Sequence, residues 1–316
     1  MSSFKRLPVL GLAILLAAAS SASAQYIGYV YPAGGQQGNT FPIRLGGQGF
    51  LYASELVVTG EGVSVRLVEH YRTWGNQEMG TLRQQLRELQ KKETAVGDVM
   101  GAKMAWWEFP APIGAEAAPT PEGLSEKEVA KRNLVKRIQQ VFAEDERTAA
   151  VAAHRELIFA EVTVAPDAKP GRREIRVVTK RGISNSRPFY VGQVPEVARK
   201  AMKTTKRQVL GKEYLAQVKR PPEEEEKSIT VPCTMNGQLA AGWVDRYRFE
   251  ATKGQRLVIS AKARDLVPYV ADGVPGWFQA VLRLHDSGGK EVAYNDDFYF
   301  RPDPVLYYEV PEDGEY

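Results

Sequence analysis

The 316-residue sequence contains a single cysteine, Cys233, so no intrachain disulfide can form. The chain must hold itself together through apolar cores alone, or with bound ions. Only three histidines, His70, His154 and His285, are available as general bases or metal ligands. No Gly-x-Ser-x-Gly elbow presents a serine, no His-Glu-x-x-His pair stands ready for zinc, and no glycine-rich loop ends in Lys-Ser or Lys-Thr to cradle phosphate. Cys233 has no histidine beside it and reads as a small buried apolar residue rather than a reactive thiol. These absences argue against an enzyme. An excess of one charge is missing too: 42 Lys and Arg face 38 Asp and Glu, for a net charge of +4. That balance argues against a dedicated nucleic-acid binder, which needs a concentrated basic face. Beyond residue 24 no run is apolar enough to span a bilayer, so no integral membrane segment is expected after the leader.

The leader itself is what the N-terminus does contain. Lys5 and Arg6 precede the apolar run Leu7 to Ala19, and Ala22-Ser23-Ala24 offers small residues to a signal peptidase. This is the three-part layout of a secretory signal peptide over residues 1–24, with the mature chain expected to start at Gln25. The run is shorter than the ~20 residues of a spanning helix, and no cysteine at the cleavage point invites a lipid anchor. The expected location is therefore secreted, periplasmic or cell-surface.

From Tyr26 to Val68 the pattern is strand and turn. Thr40 to Leu45 alternates in the strand manner, Gly46-Gly47-Gln48-Gly49-Phe50 is a glycine bend ending on an aromatic, and Val63, Val65 and Leu67 share one face. The period then changes to helical. Leu82, Leu86 and Leu89 fall on one stripe within residues 77–92, and Ser125-Glu126-Lys127-Glu128 is a capping box opening a second helix with Leu134, Ile138 and Val141 on one face. Strand periodicity returns at Leu157 to Val164, at Glu174 to Thr179 with Ile175 and Val177 inward, and at Ser184 to Val191. Neither flanking set has enough strands to close a sandwich alone. We therefore expect one β-sandwich over 25–192 with a helical hairpin inserted at about 75–152; a separate helical domain is the other arrangement. Residues 193–226, with bases from Arg199 to Arg220 followed by Glu223 to Glu226, read as a charged linker, or alternatively as a polyanion-binding strip.

Residues 227–316 show short strands broken by turns throughout. Ile229, Val231 and Cys233 alternate, as do Leu257, Ile259 and Ala261, and later Leu306, Tyr308 and Val310. Asp286-Ser287-Gly288-Gly289 is a hairpin turn. The fold class expected overall is mainly β, with two β-sandwich domains: an Ig-like one carrying the helical hairpin, then a jelly-roll-like one.

Two resemblances add to this. Pro32, Gly35, Gly38, the strand Thr40 to Leu45 and Gly47-Gln48-Gly49-Phe50, with Pro170-Gly171, Ile175 to Thr179 and Gly182-Ile183-Ser184 running to Val191, resemble the two ends of an IPT/TIG domain, an immunoglobulin-like module. Gly242, Asp245, Tyr247 and Phe249, Gly254-Gln255, Leu282, Asp286, Gly289, Asn295-Asp296-Asp297, Asp303, Tyr307 and Pro311 to Tyr316 resemble the bacterial pre-peptidase C-terminal domain. In that family a further strand and more chain follow, so 227–316 is expected to be an incomplete sandwich and the chain a fragment of a longer protein.

The sharpest polar cluster is Asn295, Asp296, Asp297 and Asp303. Carboxylate and amide oxygens close together on a loop suit Ca²⁺, and domains similar to this one include calcium-binding members. Asp245 and Asp286 join such a site only if the fold brings them there. The competing reading is Asx-turn capping, in which these side chains bond local backbone. Trp106-Trp107 and Trp277, with Tyr269 and Phe278 nearby, lie in loops where aromatics either stack on ligands or plug the sandwich ends; Phe298, Tyr299 and Phe300 carry the same ambiguity. The expectation is a secreted, non-catalytic binding, adhesion or scaffold protein, with an extracellular protein or polysaccharide as partner. The alternative is the non-catalytic N-terminal part of a larger secreted peptidase or other hydrolase.

Overall fold

The structure is a computed structural model that describes residues 25–72, 74–91, 123, 125–144, 156–199, 222–239, 244–266 and 279–316. The expected leader 1–24, Trp106, Trp107, Tyr269, Trp277 and Phe278, and the middle of the expected linker lie outside the described residues. The chain is mainly β. No helix among the described residues is long and apolar enough to cross a membrane.

Strands β1 (Tyr26–Tyr31), β2 (Gly34–Gln36), β3 (Thr40–Gln48), β4 (Ala53–Val58) and β5 (Val63–Tyr71) precede helices α1 (Asn76–Lys91) and α2 (Glu126–Glu144); β6 (Glu156–Val164), β7 (Gly171–Thr179), β8 (Gly182–Ile183) and β9 (Arg187–Gly192) follow. They form two sheets. One is the antiparallel order β1-β3-β6-β5; the other is β2-β9-β7-β4, with β8 folded back onto β7. Alternate residues of both sheets meet between them. Ile27, Ile43, Leu45, Phe50, Ile158, Val162, Ile175, Val177 and Phe189 are all fully buried there. Each such side chain contributes about 1.5–3 kcal/mol relative to exposure. Val63, Val65 and Leu67 lean on the same core from β5.

Local chemistry explains the details. The expected glycine bend closes over its own aromatic: a Cβ on Gly47 would sit 2.3 Å from the Phe50 ring and 2.1 Å from the Tyr26 carbonyl, so only glycine fits. Glu156 at the start of β6 accepts hydrogen bonds from the backbone N–H of Gly49 (2.9 Å) and Phe50 (3.0 Å), and its carboxylate lies 3.0 Å from His70 Nε2. Arg187, 1 % exposed, ties the sheets together at one end: its Nε donates to the Ile27 carbonyl (2.7 Å) and its Nη2 to the Tyr26 hydroxyl (2.9 Å).

The helices lie in the connection between β5 and β6, which are hydrogen-bonded neighbours, so both strands belong to one sheet on either side of the excursion. The capping box forms as expected: Ser125 N–H donates to Glu128 Oε2 (2.8 Å), while Glu128 N–H reaches Ser125 Oγ (3.4 Å). Met79, Val141, Leu82 and Phe142 pack on Tyr71, Leu157 and Phe159 at the outer face of sheet one. This is why β6 reads Leu157-Ile158-Phe159-Ala160 without alternation: successive residues face the sandwich core and the helices in turn, and both sides are apolar. Leu134, expected on the buried stripe of α2, is 49 % exposed; Val135 is buried instead.

Past the sandwich the chain forms β10 (Glu196–Ala198), a helical turn Pro222–Glu225, β11 (Glu226–Ser228), β12 (Thr234–Asn236), β13 (Arg246–Arg248), β14 (Glu250–Ala251), β15 (Arg256–Ser260), β16 (Leu282–His285), β17 (Glu291–Asn295), β18 (Val305–Glu309) and β19 (Gly314–Glu315). Among the described residues these pair two by two: β10 with β12, β11 with β13, β14 with β19, β15 with β18 and β16 with β17. Phe249, Ala251, Leu257, Leu284, Leu306 and Val310 make a second, smaller core, with Ile229 and Val231 leaning on it.

The start of the stretch read as a charged linker is part of the fold. Strand β10 pairs in parallel with β12, and Arg199 N–H donates to the Asn236 carbonyl (2.8 Å). The Arg199 guanidinium is not solvated. It lies 3.5 Å from the Asp245 carboxylate, both side chains 8 % exposed, and 5.5 Å over the Tyr247 ring. The Tyr31 hydroxyl, at the end of β1, reaches the Arg199 carbonyl (2.5 Å) and the Asn236 carbonyl (3.1 Å). Asn236 Nδ2 donates to Glu196 (2.7 Å), and Ala33 N–H donates to Asn236 Oδ1 (3.3 Å). Burial here pushes the Tyr31 hydroxyl pKa up and raises the Glu196 carboxyl, the latter partly opposed by Asn236.

Candidate functional site: an aromatic turn beside the acidic loop

Strand β17 ends at Asn295 and leads through Asp296 and Asp297 into a tight turn. Phe298 and Arg301 exchange backbone hydrogen bonds of 2.9 and 3.0 Å, leaving Tyr299 and Phe300 as the two corner residues. Their φ angles are +47° and +63°. A two-residue hairpin turn with both corners left-handed normally uses Asn-Gly or Gly-Gly. A bulky L-residue there brings Cβ against the following carbonyl, at about 1–2 kcal/mol per residue. Neither ring offsets this by burial, because Tyr299 is 81 % and Phe300 101 % exposed. Local stability therefore does not account for these two residues.

The turn connects to a longer apolar strip. The Phe298 ring meets Tyr299 edge-on at 4.5 Å and stands 6.0 Å from Tyr307. Tyr307, 63 % exposed on β18, is the register partner of Val258, 65 % exposed on β15. Cross-strand partners point to the same side of a ladder, so exposed Tyr307 and Val258 lie together, and the half-buried Phe298 ring links them to Tyr299. Tyr294 stands apart: Arg283, its register partner on β16, lies 5.6 Å over its ring.

The acidic residues expected as calcium ligands make the following contacts. Asp303 accepts three backbone N–H bonds, from Ala263 (2.9 Å) and Arg264 (2.7 Å) at one oxygen and from Asp265 (2.8 Å) at the other. It thereby fixes the 263–265 loop, and Asp265 in turn bonds the Tyr190 hydroxyl of β9. That hydroxyl is pushed up, first by burial and then by the Asp265 carboxylate. Asp296 Oδ2 accepts from the Tyr294 hydroxyl (3.1 Å), and its backbone carbonyl accepts from Gln279 Nε2 (3.2 Å). Asp297 is exposed, and Asn295 Oδ1 is buried without a hydrogen bond. Asp286 Oδ1 caps its own hairpin through Gly288 N–H (3.0 Å) and Lys290 N–H (2.9 Å), and Asp245 is held at the junction by Arg199. Asp286 and Asp303 thus follow the backbone-capping pattern. Among the described residues, no three His, Cys, Asp or Glu side chains gather in a group that could hold a metal ion.

Sequence reading weighed Phe298, Tyr299 and Phe300 only as general loop aromatics. The one local signal was the lack of any glycine or asparagine in a turn this short, between Asp297 and Pro302. Compared with family models, with curated proteins and with solved structures, the chain matches none, and neither resemblance seen in the sequence is established that way.

Proposed function

We propose that this chain is an exported, non-catalytic binding or adhesion protein that presents the Tyr299–Phe300 turn to a ligand outside the cytoplasm. The observation that carries this reading is the pair of exposed aromatic rings held on left-handed corners. Backbone strain at an exposed, apolar tip is a feature that folding alone disfavours, and such outliers concentrate where a surface is used. The leader at residues 1–24 supports export. His70 sits against Glu156, whose carboxylate is already engaged by the glycine bend, which supports a structural part for that pair. The likeness of 227–316 to the pre-peptidase C-terminal domain fits an accessory module in either a free-standing binder or a larger secreted protein.

The test is co-sedimentation of the purified chain with cell-envelope and extracellular material from cells that make it. The wild type is expected in the pellet, and the pair Tyr299→Asn with Phe300→Gly in the supernatant, with a loss of at least about tenfold in retention. Equal retention of the two proteins, both folded, would sink the reading.

A further inference from the structure

We infer that the ligand of the aromatic turn is an uncharged polysaccharide, stacked along Tyr299, Tyr307 and Val258, with Phe300 exposed at the tip. This rests on the reading of the turn as a binding surface. Three observations select the ligand's chemistry. The rings at the tip are flat and exposed, and among the described residues no cation stands over them as Arg283 does over Tyr294; the described ring neighbour of Tyr299 is Phe298. Such faces suit the C–H face of a pyranose, which is apolar but borders hydroxyl groups. The polar groups at the two ends of the turn are an acceptor and a donor set: Asp297 and Arg301 are both exposed, and a sugar's hydroxyls can donate to the one and accept from the other. Asp297 and Arg301 carry opposite charges on either side of the corner, so the turn has no net charge with which to hold an acidic lipid, a nucleic acid or an acidic glycan. Finally, the apolar run continues from the tip onto the β15–β18 ladder through Tyr307 and Val258, an extended track rather than a closed pocket. That shape fits several units of a linear polymer better than one small molecule.

The experiment uses the whole purified chain. Soluble glucan, galactomannan and xylan are tested by affinity electrophoresis, and cellulose and chitin by sedimentation. Phosphatidylglycerol vesicles and gelatin serve as non-carbohydrate probes. Retention by at least one uncharged polysaccharide is expected, weakened about tenfold or more by Phe300→Ala or Tyr299→Ala, as for truncated aromatic anchors. Asp297→Asn is expected to weaken it less, and raising salt to change it little because the ligand is uncharged. The Tyr299→Asn/Phe300→Gly pair, which relieves the turn, controls for folding through its melting temperature. Retention by no polysaccharide overturns the inference. Binding to vesicles or gelatin that the turn variants abolish also overturns it, while leaving the turn as a binding surface. Polysaccharide binding that no turn variant changes overturns both the inference and the reading on which it rests.

Discussion

The sandwich of residues 25–192 closes a core between sheets of four and five strands, while the described strands beyond it pair two by two around a much smaller core. An isolated two-stranded ladder is marginal in water; three or more strands, or packing against another element, are needed for independent stability. The C-terminal segment meets that need partly from the sandwich. Strand β10 continues the sandwich chain into a ladder with β12, Tyr31 caps the join, Arg199 and Asp245 are buried together in it, and Tyr190 takes Asp265 at a second point. The lesson is an asymmetry: the first region is held by area, the second by a few directed polar contacts to the first. Area tolerates single changes better than directed contacts do.

Breaking the junction is therefore expected to have the largest effect. Asp245→Ala leaves the buried Arg199 guanidinium without its carboxylate, and loss of one partner from a buried pair costs about 3–5 kcal/mol. Hydrogen-exchange protection should fall through β11 to β19 and persist through β1 to β9. A uniform loss across both regions would show that they fold as one unit and erase the asymmetry. Replacing both partners with apolar residues, Arg199→Met with Asp245→Leu, should restore much of the loss, since no lone charge remains buried.

Next in size is Asp303→Ala, which removes the acceptor of three backbone N–H groups at 263–265 and costs about 2–3 kcal/mol by leaving donors unsatisfied. If Asp303 acts as a cap, the fall in melting temperature is the same with calcium or with chelator. A fall seen only with calcium present would make Asp303 a metal ligand. The Tyr299→Asn/Phe300→Gly pair moves in the opposite direction: with both corners compatible with positive φ, the segment should gain about 1–3 kcal/mol in denaturant unfolding while it loses binding. A loss of stability would mean that the two rings support the fold.

How far each region was legible follows from the range of the contacts that build it. The sandwich is written in short-range pattern: Ile175 and Val177 alternate inward, Ser125 and Glu128 cap α2 three residues apart, and Gly47 and Phe50 make their bend within one turn. The junction is not. Arg199 sits at the head of a basic run and Asp245 far along the chain, and nothing in either neighbourhood distinguishes a buried arginine from a solvated one. The cluster at Asn295 to Asp303 was legible as a group of acids but not as ligands or caps. The donors that Asp303 satisfies lie in a loop about forty residues earlier. The left-handed corners at Tyr299 and Phe300 were hidden for a different reason: aromatic residues carry no preference for positive φ, so the pattern points away from the conformation they adopt.

Acid separates the two regions with the smallest effect and with opposite signs. Burial alone would raise the Glu156 carboxyl, but the contacts from His70, Gly49 and Phe50 outweigh it and hold the group below the usual range. A carboxyl lowered in the folded state adds stability that is complete above its ordinary value of about 4.3 and is lost as pH falls through the lower folded value. Glu196 at the junction is raised by burial, with Asn236 opposing. Its charged form weakens the folded state near neutrality, and protonation through the raised value, down toward the ordinary one, relieves that penalty. Between neutral and mildly acidic pH the β10–β12 amides should therefore gain protection, and below about pH 4 the glycine bend and the start of β6 should lose it. Glu196→Gln should remove the first change and Glu156→Gln the second, each leaving the other intact. If one substitution flattens both limbs, the regions titrate as a single structure, and the directed contacts of the junction couple them more tightly than two-stranded ladders alone imply.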